Sequence, residues 1–469
     1  MKAKTVAAIL SVICVVIASA MVFPLTLALL DRSNDAVAFG LAALAGVGIS
    51  IALRLMSGAK SLAGLSMGIR EGVGVTGFSW IIASAIGAMP YWLAGVCSYT
   101  DAFFEAASGF TTTGATIMTD IEALPRGILL WRSLTHWMGG MGIIVLSLAV
   151  LPFLGVTGME MYKAEVPGIT AEKLTPRLHK TALYLWGLYV AFTLAETVCL
   201  MFGGMNLFEA FCHSCSTIAT GGFSTRNDSV AGFSPYIQWV IIVFMFASGV
   251  NFSLYFAPRL LLRDEEFRAY TLVTLLSAVS MAIALGGSFR MTLFHVVSVM
   301  TTTGFVADDY NLWPQFTRAL FVILMFVGAS GGSTGGGCKV SRFIILGKQL
   351  KTETQRLLHP RAVIVPRMNG EVLARSTIDS AGAFFVLYML MLSVGTLVTC
   401  AFGVEFLSAF TGVITCLSNV GPGLNLLGPV ENFAWLPGAV KWLLSFCMLA
   451  GRLELFAIFL LFMPGTYRK

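Results

Sequence analysis

Apolar residues run along this chain in long blocks separated by short polar segments. A helix that crosses a bilayer needs about 20 mostly apolar residues, because about 30 Å of hydrocarbon is crossed at 1.5 Å per residue. Ten stretches qualify: Thr5–Leu30, Ala36–Met56, Gly77–Cys97, Gly127–Leu154, Thr181–Phe202, Tyr236–Ala257, Ala269–Gly287, Thr317–Leu346, Ile378–Phe402 and Gly438–Met463. The pattern predicts an all-α polytopic membrane protein.

Composition agrees. Of 469 residues, 57% are hydrophobic and 12% charged, about half the roughly 25% charged residues of a soluble domain. The net charge of +6 is small and scattered, which argues against a nucleic-acid partner. The 48 glycines have no triplet period, and the nine cysteines lie mostly inside apolar blocks, so neither a collagen nor a disulfide scaffold fits.

The charges also orient the spans. Lys2, Lys4, Arg468 and Lys469 lie at the ends, and alternate loops on that side carry Arg54, Lys60, Arg70, Lys163, Lys173, Arg177, Lys180, Arg259, Arg263, Arg268, Lys348, Lys351, Arg356, Arg361, Arg367 and Arg375. The opposite loops hold Asp31, Asp35, Asp120, Glu122, Asp228, Asp308, Asp309 and Glu431. By the positive-inside rule both termini are expected in the cytoplasm. Lys2, Lys4 and Ala18-Ser19-Ala20 resemble a cleavable signal peptide, but the apolar run continues to Leu30, favouring a span.

Four segments too short to cross the membrane sit between pairs of spans: Asp101–Gly114, Glu209–Gly222, Met291–Gly304 and Ser408–Gly421. Aligned on the last glycine, each has a hydroxyl six residues earlier (Ser108, Ser216, Ser298, Thr415) and a phenylalanine ten or eleven residues earlier (Phe103 and Phe104, Phe211, Phe294, Phe410). The chain therefore divides into a leading pair of helices, 1–70, and four span–short helix–span repeats, 71–158, 159–263, 264–350 and 351–469. One such loop alone reads as a turn between packed helices. Four in register on one predicted side read as one pseudo-fourfold pore, because irregular backbone at membrane depth must be buried or line an aqueous cavity. Rings of carbonyl oxygens replace the water shell of a cation, and short helices that precede the loops aim their partly negative C-terminal ends at the axis.

A further irregularity lies in the stretch from Thr317. Gly328-Ala-Ser-Gly-Gly-Ser-Thr-Gly-Gly-Gly337, with Gly328, Gly331, Gly332, Gly335, Gly336 and Gly337, would cost a helix about 1 kcal/mol per glycine relative to alanine. A break at mid-membrane is expected there. The following Cys338-Lys339 does not complete a phosphate-binding loop.

At these residues the chain resembles the TrkH/KtrB/HKT superfamily of potassium transporters, and within it the TrkH type, which carries the extra leading pair of spans. The matching pieces are Thr111–Thr116, His136–Gly142, Ile218–Ser224, Thr301–Phe305 and Gly451–Glu454. The resemblance implies potassium uptake across the bacterial inner membrane, a homodimer, and a cytoplasmic TrkA-like nucleotide-binding regulatory partner. It places the filter at Thr111, Thr112, Thr113 and Gly114; Ala219, Thr220, Gly221 and Gly222; Thr301, Thr302, Thr303 and Gly304; and Ser418, Asn419, Val420 and Gly421. Potassium is expected at Thr112, Thr113, Thr220, Gly221, Thr302, Thr303, Asn419 and Val420. In the HKT branch a serine at the first filter position accompanies sodium preference, so Gly114 favours potassium. The fourth loop lacks the threonines of the first and third, which predicts an asymmetric ring. The resemblance also implies that the glycine-rich loop is a movable gate beneath the filter.

Arg452 lies near the centre of the last apolar stretch, where a charge faces a cavity or a partner. Beside the pathway it would hinder cations, and Glu454, two residues away, does not share its helix face. Cys212, His213 and Cys215 are expected to pack rather than bind metal, Arg132 and His136 to anchor at the membrane interface, and Asn251 to link helices or touch the pathway. No nucleophile, base and orienting group cluster, so an enzyme is not expected. Alternating-access symport with H+ or Na+ is the competing reading, although such carriers usually show inverted repeats and these run the same way.

Overall fold

The computed structural model describes residues 1–58, 69–142 and 178–464. Among them the structure is helical apart from turns and one two-residue antiparallel pair, Arg367–Met368 with Glu371–Val372. Two leading helices open the chain: Ala3–Ala20, continued after Met21 by Val22–Leu30, and Asp35–Ser57. They pack side by side, with the Ser50 hydroxyl donating to Ser11 O at 2.6 Å.

Four units of one design follow. A long lead-in helix comes first: Ile69–Leu93, Leu178–Phe202, Glu265–Leu285 and Arg375–Ala401. Just beyond each stands a glycine with positive φ (Gly95, Gly204, Gly286, Gly403). Glycine enters this left-handed conformation without a Cβ penalty and turns the chain back. A pore helix of 12 or 13 residues comes next: Tyr99–Phe110, Leu207–Ile218, Phe289–Met300 and Phe406–Ser418. Ser98, Asn206 and Glu405 cap three of them by accepting from the N–H three residues on, satisfying a donor that the helix leaves open.

The exit helices start at prolines: Arg126–Trp137 after Pro125, Pro235–Ser248, Gln315–Val327 after Pro314, and Gly438–Arg452 after Pro437. Proline cannot extend a helix backwards through its own N–H. All four are interrupted after 12 to 15 residues. The first passes into a π-helix, Met138–Gly142; the second into a 3-10 turn, Phe252–Phe256; the third into the glycine-rich loop; the fourth bends by 119° before Phe456–Phe462.

The break in the third was expected; the other three depart from the continuous spans expected there. Among the described residues, six helices are long and apolar enough to cross a membrane, or seven counting the bent pair. The reason is steric. A Cβ on Gly139 would stand 1.8 Å from Phe110 O, and one on Gly451 1.9 Å from Leu417 O, so the exit helices press directly on the ends of the pore helices there. The rest of the stretch expected over Gly127–Leu154 lies outside the described residues, as does the repeat boundary at 158/159. The boundary at 263/264 falls just before a lead-in helix, while helices Ile69–Leu93 and Val340–Leu358 run across those at 70/71 and 350/351. Pore helices are almost wholly buried, whereas Leu55, Ile283 and Leu397 on the outer helices stand exposed, as a hydrocarbon solvent permits.

Candidate functional site

Each pore helix ends in the same backbone turn. Two residues before the final glycine, Thr112, Thr220, Thr302 and Asn419 have φ of 52°, 55°, 60° and 57°. The next residue's N–H folds back six-to-one: Thr113 to Ser108 O at 2.9 Å, Gly221 to Ser216 O at 2.8 Å, Thr303 to Ser298 O at 2.8 Å and Val420 to Thr415 O at 2.9 Å. In a trans peptide the carbonyl opposes the N–H, so the carbonyls of the left-handed residues point away from their helices. Asparagine tolerates this conformation. In a β-branched threonine it is an outlier costing about 1–3 kcal/mol. Three strained threonines in register mark a backbone held for a purpose.

The loops close on one another in chain order. A Cβ on Gly114 would stand 2.2 Å from Gly221 O, one on Gly222 1.9 Å from Thr303 O, one on Gly304 2.1 Å from Val420 O, and one on Gly421 2.6 Å from Thr113 O. First meets second, second third, third fourth, and fourth first. All four glycines line a single cavity of 150 Å³ with Thr116, Ser224 and Val306. The carbonyls of Thr112, Thr113, Thr220, Gly221, Thr302, Thr303, Asn419 and Val420 accept no hydrogen bond from a described residue, although buried main-chain oxygens are nearly always paired.

An outer collar fastens the ring. Arg132 Nη1 donates to Ser224 O at 3.1 Å, Val230 N to Val306 O at 3.0 Å, the Tyr310 hydroxyl to Gly423 O at 3.2 Å, and Phe433 N to Thr116 O at 2.9 Å. These bonds join the repeats in the same cyclic order. The asymmetry of the fourth loop has a physical form. Hydroxyl pairs Thr111–Thr113 (2.7 Å) and Thr301–Thr303 (2.8 Å) lock the first and third loops. In the fourth, Asn419 Nδ2 reaches across to Thr113 Oγ1 at 2.9 Å and to Met448 O at 3.0 Å.

Two expectations need correction. Arg132 and His136 are buried against the ring of loops and anchor nothing at an interface. Arg132 Nε donates to Glu105 Oε1 at 2.9 Å, and its guanidinium lies 4.1 Å over Phe223. The His136 ring stacks on Phe223 at 4.1 Å and backs Gly221, where a Cβ would meet Nδ1 at 2.4 Å. Their partners are remote in sequence, so hydropathy carried no sign of them. Cys212 and Cys215 are buried free thiols. His213 spends both nitrogens on protein, Nδ1 at 2.8 Å from Glu209 O and Nε2 at 3.0 Å from Ser224 Oγ, leaving none for a metal.

Beneath the ring lies the loop Gly328–Lys339 between Val327 and Val340. Gly336 N donates to Thr302 Oγ1 at 2.7 Å and Gly337 N to Ser418 O at 2.9 Å, and a Cβ on Gly335 would meet Thr301 O at 2.8 Å. Ser330 N reaches Gly249 O at 3.1 Å. Glu266 Oε1 accepts from Gly331 N at 2.7 Å and Ser341 N at 3.0 Å. A Cβ on Gly332 would lie 2.9 Å from Asn251 Oδ1, which also accepts from Ser253 N at 3.0 Å; Asn251 thus caps its own turn against the loop rather than linking helices.

Arg452 sits at the break of its exit helix, not within a continuous span. Its Nη1 donates to Thr334 O at 2.8 Å, and its Nη2 to Gly139 O at 2.7 Å and Gly140 O at 2.8 Å. It bridges the loop to the first exit helix. Glu454 pairs instead with Arg342. Two residues absent from the sequence reading belong here, Glu266 and Arg342, and so does Lys339, weighed there only as part of a phosphate-binding loop, whose ammonium donates to Gly335 O. Lys339 follows the glycine run directly, which was the available signal.

A family model described as TrkH, cation transport protein, matches residues 44–263 and 267–466. The Trk system potassium uptake protein TrkH of Salmonella typhimurium is 41% identical over 419 residues, 85% of this chain and 86% of that protein. The Trk system potassium uptake protein TrkI of Halomonas elongata is 34% identical over 478 residues, 98% of this chain and 96% of that protein. The crystal structure of the potassium transporter TrkH from Vibrio parahaemolyticus superposes with a TM-score of 0.88 at 35% identity, covering all of both chains.

Proposed function

Because the chain belongs to the TrkH family of cation transport proteins, we propose that it takes up potassium through a gated pore formed by the four filter loops. The observation that carries this reading is the cyclic closure of those loops around carbonyls that no described donor occupies. A dehydrating potassium ion exchanges water for the oxygens of Thr112 and Thr113, Thr220 and Gly221, Thr302 and Thr303, and Asn419 and Val420. Thr111, Ala219, Thr301 and Ser418 form the inner end of the filter, and Gly114, Gly222, Gly304 and Gly421 let neighbouring loops approach closely enough to share one ion. Four pore helices add their C-terminal dipoles to the attraction.

The gate is the loop below, with Gly328, Gly331, Gly332, Gly335, Gly336 and Gly337 supplying its turns and Arg452 tying it to the first repeat. A guanidinium several Å from a passing cation repels it by about 1 to 4 kcal/mol for effective dielectrics of 80 to 20, so conduction requires Arg452 to withdraw. The same chain is assigned to the bacterial inner membrane with both termini cytoplasmic. That orientation rests on its basic loops, of which Lys60, Lys163, Lys173, Arg177, Arg468 and Lys469 lie outside the described residues. Homodimerisation and a TrkA-like nucleotide-binding partner complete the assignment. The helix Val340–Leu358, which leaves the gate loop and carries Lys348, Lys351 and Arg356, is a direct route from such a partner to the gate.

The decisive experiment is ion flux in liposomes across potassium, rubidium, sodium and lithium, with and without a TrkA-like protein and nucleotide. Potassium should pass in preference to sodium, at rates above carrier turnover and with currents reversing at the potassium equilibrium potential. Obligatory dependence of potassium flux on a proton or sodium gradient would replace the pore with a symporter.

A further inference from the structure

Nine residues before the filter glycine, the four repeats carry Glu105, His213, His295 and Gly412. The three polar side chains do the same thing. Glu105 accepts from Thr116 Oγ1 at 3.0 Å and Ile117 N at 2.9 Å. His213 Nε2 meets Ser224 Oγ at 3.0 Å. His295 Nε2 accepts from Ala307 N and Asp308 N, each at 3.2 Å. Where glycine leaves the fourth position empty, its neighbour Thr411 takes over, its Oγ1 accepting from Leu424 N at 3.1 Å. In every repeat the chain leaving the filter, two to four residues past the glycine, is pinned to the pore helix that entered it.

Each filter loop is thus held at both ends. The six-to-one bond fixes its start, and this strut fixes its finish.

His295 is the most sharply defined of the set. A carbonyl can only accept, so Nδ1, 2.9 Å from Met291 O, carries the ring hydrogen. Two amide N–H groups face Nε2, which is therefore the acceptor of a neutral imidazole. The ring is buried, with Trp313 and Tyr310 edge-on at 5.0 and 5.8 Å, and has no room to swing.

We propose that His295 is a positioning residue for ion selectivity: its Nε2 lone pair holds Ala307 and Asp308, and thereby sets the distance of the third loop's carbonyls from the axis. This rests on the reading of the ring as a potassium filter and names a determinant outside the ring itself.

The test compares wild type with H295Q, H295N and H295L in liposomes, reading the potassium-to-sodium permeability ratio from reversal potentials. Glutamine places its carbonyl oxygen near the Nε2 position, whereas asparagine ends near Nδ1 and leucine offers no acceptor. The ratio should survive in H295Q and fall on the order of fivefold in H295N and H295L, the worth of about one net hydrogen bond. Size-exclusion profiles and melting temperatures establish that the variants are folded. If H295L yields no protein, the two amide variants decide, because they differ chiefly in where the acceptor lands. An unchanged ratio in H295N, or equal losses in H295Q and H295N, overturns the strut while leaving the filter reading intact. Absence of discrimination in wild type removes the filter reading, and the strut with it.

Discussion

Placing a methyl group on the first filter glycine tests the ring directly. Gly114 has φ +83°, and a Cβ there would stand 2.2 Å from Gly221 O, where ordinary contact begins at 3.4 Å. Gly114→Ala therefore carries two penalties. The left-handed conformation costs about 1–2 kcal/mol for any L-residue with a Cβ, and the second loop's carbonyl must retreat by about 1.2 Å, the difference of those two distances. Gly204 separates the two effects: its φ is +98° and nothing lies within 4 Å of a Cβ, so Gly204→Ala bears the backbone cost alone. A carbonyl contact to a charged partner is worth about 1.5–3 kcal/mol net, and about 1.4 kcal/mol is tenfold. Displacing one ring oxygen should thus lower the potassium-to-sodium permeability ratio by at least about tenfold in Gly114→Ala, and likewise in Gly114→Ser, while Gly204→Ala keeps the wild-type ratio at reduced thermal stability. Reversal potentials under bi-ionic gradients give the ratio. Equal losses in the Gly114 and Gly204 variants, or none at Gly114, would refute the argument that loop-to-loop contact sets selectivity.

Other consequences are open to simpler assays. Arg132→Ala leaves the buried Glu105 carboxylate unpaired and should destabilise the protein by about 3–5 kcal/mol, measurable as a lowered midpoint in denaturation of the detergent-solubilised protein. Arg452→Gln gives up charge-assisted bonds to Thr334 O, Gly139 O and Gly140 O and should raise potassium flux in the absence of any partner; unchanged basal flux would remove Arg452 from the gate. Glu405 caps the fourth pore helix, and the Ser408 N–H, with Asn425 and the Ser408 hydroxyl, holds its carboxyl below the usual carboxylate range. The stabilisation it gives is therefore present above the ordinary carboxylate pKa and lost as pH falls through the lowered value. Glu405→Gln should flatten that part of the stability–pH profile.

Much of this protein could be read from the order of its residues. The hydrocarbon solvent imposes one length on every crossing segment, so ten apolar blocks announced the class. Fourfold recurrence marked the ring of loops, since each loop repeats a local turn that its own residues specify: a hydroxyl or asparagine side chain, a left-handed residue, a glycine. The break at Gly328–Gly337 was equally local, because glycine weakens a helix wherever it is concentrated. The other three breaks were not. Met138–Gly142, Gly249–Asn251 and Arg452–Leu455 carry at most three glycines each, too few to announce a break by themselves, and what interrupts them is the pressure of pore-helix ends from elsewhere in the fold, at Phe110, Thr301 and Leu417. The bracing is of the same kind. Asn419 meets Thr113 across 306 residues, Arg452 meets Gly139 across 313, and Arg132 meets Ser224 across 92. Side-chain type alone could place Arg132 and His136 only at a membrane interface, because hydropathy measures what a residue costs in lipid and not which carbonyl awaits it. Those pairings exist only once four loops close a ring, and ring closure is a property of the assembled repeats.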